Sequence, residues 1–131
     1  MRRLHILVID DEDDPRLIWF RQTLGDMGHR VHTAQTADAA LDLFREFQFD
    51  LAFFDHDLGG RYGGSDIASR VLNDPDTYQC PKSVWVHSMN TQGAQNIASK
   101  FRSAGIPVIV EWFMDLQDKS DLQGLLESWV P

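Results

Sequence analysis

Asp55, His56 and Asp57 close the apolar run Leu51-Ala52-Phe53-Phe54, and Leu58-Gly59-Gly60 follows. A short apolar run bounded by turn residues reads as a strand buried on both faces, as in a parallel sheet. Such a strand delivers its last side chains to the carboxyl edge of the sheet, where open α/β folds take their ligands. Two like charges one residue apart are costly there unless a cation, a proton or water relieves them. A second apolar run, residues 4–9, ends in Asp10-Asp11-Glu12-Asp13-Asp14. Brought to one edge, Asp10, Asp11 and Asp55 form an oxygen-donor set for a hard divalent cation. Magnesium prefers such donors and keeps waters that phosphate oxygens can replace. A carboxylate can then attack phosphorus, which makes Asp55 the candidate nucleophile. The competing reading of acidic strand ends is solvated loop charge; two clusters on neighbouring strands outweigh it where one would not.

The elements that must gather these residues follow from spacing. Residues 4–9 form a first strand. Asp14 suits a helix cap with Pro15 at the first helical position, and Leu17, Phe20, Leu24 and Met27 repeat at helical spacing, with Gly25 and Gly28 as stop signals. Val31 to Thr33 is a short second strand, and Thr36 caps a helix striped by Ala37, Ala40, Leu41, Phe44 and Phe47. After the third strand, 51–54, comes a loop with Gly59, Gly60, Gly63 and Gly64. Ser65 or Asp66 begins a helix carrying Ile67, Val71 and Leu72, broken at Asn73-Asp74-Pro75-Asp76. Val84-Trp85-Val86 is a fourth strand running into His87-Ser88-Met89-Asn90. Ala94, Ile97, Ala98 and Phe101 set a helical period stopped by Gly105. Ile106 to Val110 is a fifth strand with Pro107 at its start, tolerable at an edge, and Leu122, Leu125, Leu126 and Trp129 mark a final amphipathic helix.

Strands alternating with helices imply a parallel sheet covered on both faces. Right-handed crossovers narrow this to a flavodoxin-like (βα)5 doubly wound sheet with strand order 2-1-3-4-5. Strands one and three are then neighbours, so Asp10, Asp11 and Asp55 converge, and strand four adds His87, Ser88 and Asn90. Ser88 offers a hydroxyl to a phosphoryl oxygen. Asn90 is either a phosphate or ribose contact or the cap of the fourth helix.

The 131 residues are expected to form one domain, 1–131, with an ordinary globular composition of 43% hydrophobic and 24% charged residues. The net charge of -8 speaks against duplex nucleic acid as a partner, though not against a single phosphate held through a metal. No apolar run reaches the length of a membrane span, and the amino terminus is too short and too acidic-ended for a signal peptide. The lone Cys80 excludes an internal disulfide and fits a reducing cytoplasm. No compact Cys/His spacing points to zinc.

The Ile6-Leu7-Val8-Ile9-Asp10-Asp11-Glu12 strand end, Asp55 after the third strand and Ser88 after the fourth resemble the receiver domains of two-component response regulators. The resemblance implies Asp10 and Asp11 as the acidic metal-binding pair, Asp55 as phosphoacceptor, the backbone carbonyl of Asp57 as a further ligand to magnesium, and Ser88 as the hydroxyl switch residue. It also implies a histidine kinase or other signalling protein as partner. Two positions depart from that pattern. Glu111 stands where receivers carry a lysine after the fifth strand, replacing attraction for a phosphoaspartate with repulsion, and Val108 stands where an aromatic residue is usual.

Asp55-His56-Asp57-Leu58-Gly59, the later Gly64-Ser65-Asp66, and His87-Ser88-Met89-Asn90-Thr91-Gln92-Gly93 are similar to a narrower group, the cyclic-phosphate processing receiver domains. That resemblance implies a phosphorylated small molecule, or a nucleotide or RNA end, as substrate. Opening a cyclic phosphodiester requires a nucleophile and a proton for the departing alkoxide, and an imidazole titrating near neutrality supplies one. His87 and His56 are the candidates; each also has a structural reading, as a satisfied core imidazole or a bond to a nearby carbonyl. Asp57, two residues after the nucleophile, matches the local placement of the general acid in haloacid-dehalogenase-type phosphatases, and acting so at neutral pH requires a raised pKa. Arg61 lies in a glycine-rich loop that lacks the Gly-Lys-Ser/Thr of a P-loop; it is the available cation for a phosphate. Trp112, Phe113 and Met114 read first as core. The alternatives to an esterase are a receiver phosphorylated on Asp55, or a pseudo-receiver that only binds a protein. His5, His29 and His32 read as ordinary residues.

Overall fold

The computed structural model describes residues 3–10, 15–55, 63–87, 91–110, 122–124 and 126–127, with backbone alone at 15–17, 55, 87 and 91. In chain order the elements are β1 (His5–Ile9), α1 (Pro15–Asp26), β2 (Arg30–Ala34), α2 (Ala37–Glu46), β3 (Leu51–Asp55), α3 (Gly64–Asn73), β4 (Val84–His87), α4 (Thr91–Ser103) and β5 (Val108–Val110). Residues 122–124 and 126–127 are also helical. The strands form one parallel sheet in the order β2-β1-β3-β4-β5, the order expected from the sequence.

Alternation along the strands divides the core in two. Leu7, Ile9, Ala52, Phe54, Val84 and Val86 face Leu41 and Phe44 of α2, Ile67 and Val71 of α3, and Ile97 and Phe101 of α4. Ile6, Val8, Leu51, Phe53 and Trp85 pack on the opposite face with Phe20 and Leu24 of α1, and with Leu122 and Leu126. Residues 6–9, 51–54 and 84–86 of the central strands are fully buried, which explains why they read as continuous apolar runs. Phe20, Phe53 and Trp85 form a ring cluster with centroids 4.7 to 5.4 Å apart. Phe54 lies 5.4 Å from Phe101 and 6.3 Å from Phe44 on the other face. These large side chains fix the last residues of β3 before the chain reaches Asp55.

Helix ends follow local chemistry, with three corrections to the sequence expectation. Thr36 is the N-cap of α2 and its hydroxyl accepts the Ala39 N–H, as expected. Gly25 does not stop α1; it lies in the last turn, and its carbonyl accepts the N–H of Gly28 while that of Leu24 accepts His29. Gly28, at φ 92°, is the residue that ends the helix, since its left-handed backbone is one that L side chains rarely adopt. Gly105, at φ 81°, closes α4 in the same way, with Ile106 bonded back to Phe101. The second correction is that α3 starts at Gly64, ahead of both Ser65 and Asp66; Asp66 is in the first turn, where its carboxylate accepts the N–H of the N-cap Gly63 at 3.0 Å. The third is that β5 begins at Val108, two residues later than Ile106. Pro107 precedes it and contributes only its carbonyl, which accepts the Val84 N–H. The expected cap Asp14 and the residues 111–121, with Glu111, Trp112, Phe113 and Met114, lie outside the described residues, as do Leu125 and Trp129.

Candidate functional site

The site is built from the ends of β1, β3 and β4. In the β1–β3 ladder Ile9 pairs with Phe54, so Asp10 and Asp55 each follow a paired residue and arrive at the same rim. In the β3–β4 ladder Asp55 pairs directly with His87. Two acidic positions and an imidazole position separated by 45 and 32 residues in sequence therefore sit on adjacent strands (10 to 55, 55 to 87). The backbone of Asp10 is tied to β2, its N–H donating to the Ala34 carbonyl at 3.0 Å.

Asp10 is 1% exposed. A buried carboxylate is costly unless compensated, and one compensation is Arg21, whose Nη1 lies 3.8 Å from Asp10 Oδ2. Sequence reasoning missed Arg21. The signal was slight: position 21 borders the buried stripe of Phe20 and Leu24, where a cation can reach an acidic group on the sheet. The two charges sit on one face because position 10 shares strand parity with Ile6 and Val8, which pack toward α1.

Of the residues expected at the site, Asp10 is placed with its side chain, while Asp55 and His87 are placed by backbone register. Asp11, His56, Asp57, Arg61, Ser88 and Asn90 lie outside the described residues. The donor chemistry fits a hard divalent cation: Asp10 brings buried carboxylate oxygens to the rim, beside the strand end that carries Asp55. Among the described residues no cluster of three or more His, Cys, Asp or Glu is assembled for a metal.

Among the described residues, three further histidines and the cysteine have their own surroundings. His5 and His32 lie with Phe47 and Phe49 at the opposite end of β1 and β2, ring centroids 4.7 to 5.9 Å apart. Burial lowers the pKa of both; for His5 the neighbouring His32 and Arg30 add to this, and for His32 Arg30 does. Burial also lowers the pKa of His29, whose Nδ1 accepts the Leu4 N–H at 3.0 Å. Cys80 is half-buried, and burial pushes its thiol up to about 11, so it is a thiol rather than a nucleophilic thiolate at neutral pH. Among the described residues no helix is long and apolar enough to cross a membrane.

A parallel sheet of this strand order, with acidic residues closing its first and third strands, defines a receiver domain. NtrX from Brucella abortus superposes with a TM-score of 0.68 at 25% identity, covering 98% of this chain and 27% of that one. The response regulator TrrA from Thermotoga maritima, solved in complex with Mg2+-BeF, gives a TM-score of 0.61 at 23% identity and covers 96% of this chain and all of that one; at that identity the likeness is one of fold. In sequence, the virulence sensor protein BvgS of Bordetella pertussis is 40% identical over 68 residues, 52% of this chain but only 5% of BvgS. The chain thus spans a small part of the curated relatives it matches. The family profile of the cyclic-phosphate processing receiver domain matches residues 5–103. This chain belongs to that family.

Proposed function

We propose that this receiver domain binds Mg2+ at the acidic rim and processes a phosphoester at Asp55, with a cyclic phosphate on a nucleotide or RNA end as substrate. The observation that carries the reading is the juxtaposition at the rim: a buried carboxylate, Asp10, next to the strand end of Asp55, itself in register with His87. The family match adds the substrate class.

Asp10, Asp11, Asp55 and the backbone carbonyl of Asp57 would hold the cation. When bound, Mg2+ supplies charge neutralisation and polarises a phosphoryl oxygen. Asp55 attacks phosphorus through a carboxylate oxygen, forming an aspartyl phosphate as the ring P–O bond breaks. The departing alkoxide takes its proton from the protonated His87 or from Asp57, leaving an alcohol. A water then attacks phosphorus and gives its proton to the same group, releasing a phosphomonoester and restoring Asp55. Ser88, Asn90 and Arg61 are assigned to the phosphoryl oxygens, and His56 to a supporting proton-transfer role.

The test is incubation with 2′,3′-cyclic nucleotides and Mg2+, reading formation of the monoester. Turnover that disappears in Asp55→Asn supports the reading; no turnover above that control overturns it. A second reading, phosphorylation on Asp55 by a histidine kinase or another signalling protein, draws on the 68-residue similarity to a sensor protein. Stable uptake of beryllium fluoride without esterase turnover would favour it.

A further inference from the structure

We propose that Arg21 is an exchangeable counter-ion of the rim: it neutralises Asp10 in the metal-free domain and is displaced when a divalent cation binds. The inference rests on the magnesium reading above and deepens it by naming a residue that sets the affinity.

Three observations carry it. The Arg21 Nη1 to Asp10 Oδ2 distance is 3.8 Å, close enough for strong Coulomb attraction but beyond the 2.7–2.9 Å of a charge-assisted hydrogen bond. At that distance the guanidinium supplies charge to Oδ2 without a direct hydrogen bond to it. The two partners are also unequally placed: Asp10 is 1% exposed and held by its backbone to β2, whereas Arg21 is 20% exposed on a long stem reaching from α1. Of the two, Arg21 is the one with access to water and room to move. Finally, a divalent ion carries twice the charge of a guanidinium and bonds directly to carboxylate oxygen at about 2.0–2.1 Å. An ion held at the rim would repel a guanidinium at its present distance and would take over the neutralisation of Asp10.

Arg21 is thus a positioning residue. It keeps a buried carboxylate ionised and in place while the site waits for metal, and it exacts a competition penalty when metal arrives. Loss of its charge should make the metal-free protein less stable and metal binding tighter, a combination that a purely structural role would not produce.

The experiment compares wild type, Arg21→Gln, Arg21→Met and Arg21→Lys by thermal unfolding in chelator and by calorimetric titration with MgCl2 alone. Arg21→Met retains the aliphatic packing should the glutamine variant fail to fold. The expected result for the two neutral variants is a lower melting temperature in chelator, a larger rise on adding Mg2+ and roughly two- to fivefold tighter Mg2+ binding, the worth of a partly exposed ion pair; Arg21→Lys returns toward wild type. Equal or weaker Mg2+ binding in the neutral variants, with wild type binding normally, overturns the role of Arg21 and leaves the magnesium site standing. Failure of Mg2+ to bind any of the four proteins overturns both.

Discussion

At the carboxyl end of the sheet, Asp10 is buried beside Arg21, and the strand positions of Asp55 and His87 lie side by side. At the amino end, His5 and His32 pack at tilted and edge-on angles against Phe47 and Phe49, Arg30 sits 5.4 Å over the Phe47 ring, and His29 accepts the Leu4 N–H. Both ends bury polar groups, and the difference lies in what burial does to charge. A carboxylate held beside a cation and next to a second acidic strand end stays in a field that favours its charged form, which is what the proposed cation site requires. Imidazoles taken out of water have their pKa values lowered, by burial first and, for His5 and His32, by Arg30 as well. Residue type alone does not make a functional site; the sign of the surrounding field decides.

The largest effect that would sharpen this contrast is expected at the rim. Asp55→Asn should abolish phosphoester turnover, a loss of about a thousandfold or more, while leaving the unfolding midpoint near wild type; retained turnover would move the chemistry elsewhere. Next comes the core that joins the two ends. Trp85→Ala removes the largest fully buried side chain and its contacts with Phe20 and Phe53, and should cost about 3–5 kcal/mol in urea unfolding.

At the amino end, His29→Leu leaves the Leu4 N–H without its acceptor and should cost about 1–3 kcal/mol, whereas His29→Asn, which keeps an acceptor, should recover part of that. Recovery no greater than for leucine would show that the hydrogen bond is not what matters. Acid should act on the same region. With folded-state pKa values of His5, His29 and His32 below 6.5, the unfolded chain binds more protons, so stability falls as pH drops from about 6.5 toward the folded values. The paired replacement His5→Phe with His32→Phe should flatten that part of the profile in pH-dependent urea unfolding; an unchanged slope would contradict a neutral imidazole pair. The smallest effect is expected from Thr36→Ala, about 1 kcal/mol through loss of the α2 cap, with no effect on turnover.

Much of this contrast was legible in the sequence because the strands are short apolar runs and the helices carry clear stripes. Those patterns gave the strand order, and the strand order alone brought residues 10, 55 and 87 to one rim. What was not legible depends on register or on helix-end geometry. His5 and His32 meet because His5 pairs with Arg30 and Leu7 with His32, a diagonal fixed by the β1–β2 ladder and invisible in spacing. Gly25 looked like a helix stop because glycine is a poor helix former, yet the positive φ belongs to Gly28. Arg21 is not legible because its partner, Asp10, is eleven residues away and meets it only when α1 packs on the sheet.

Acidic groups distant in sequence are proposed to share one cation. Calorimetric titration of wild type, Asp10→Asn and Asp55→Asn with MgCl2 tests it most directly. Binding of one Mg2+ by wild type, weakened at least tenfold in each variant, is the predicted result; Mg2+ affinity unchanged by either substitution would contradict it.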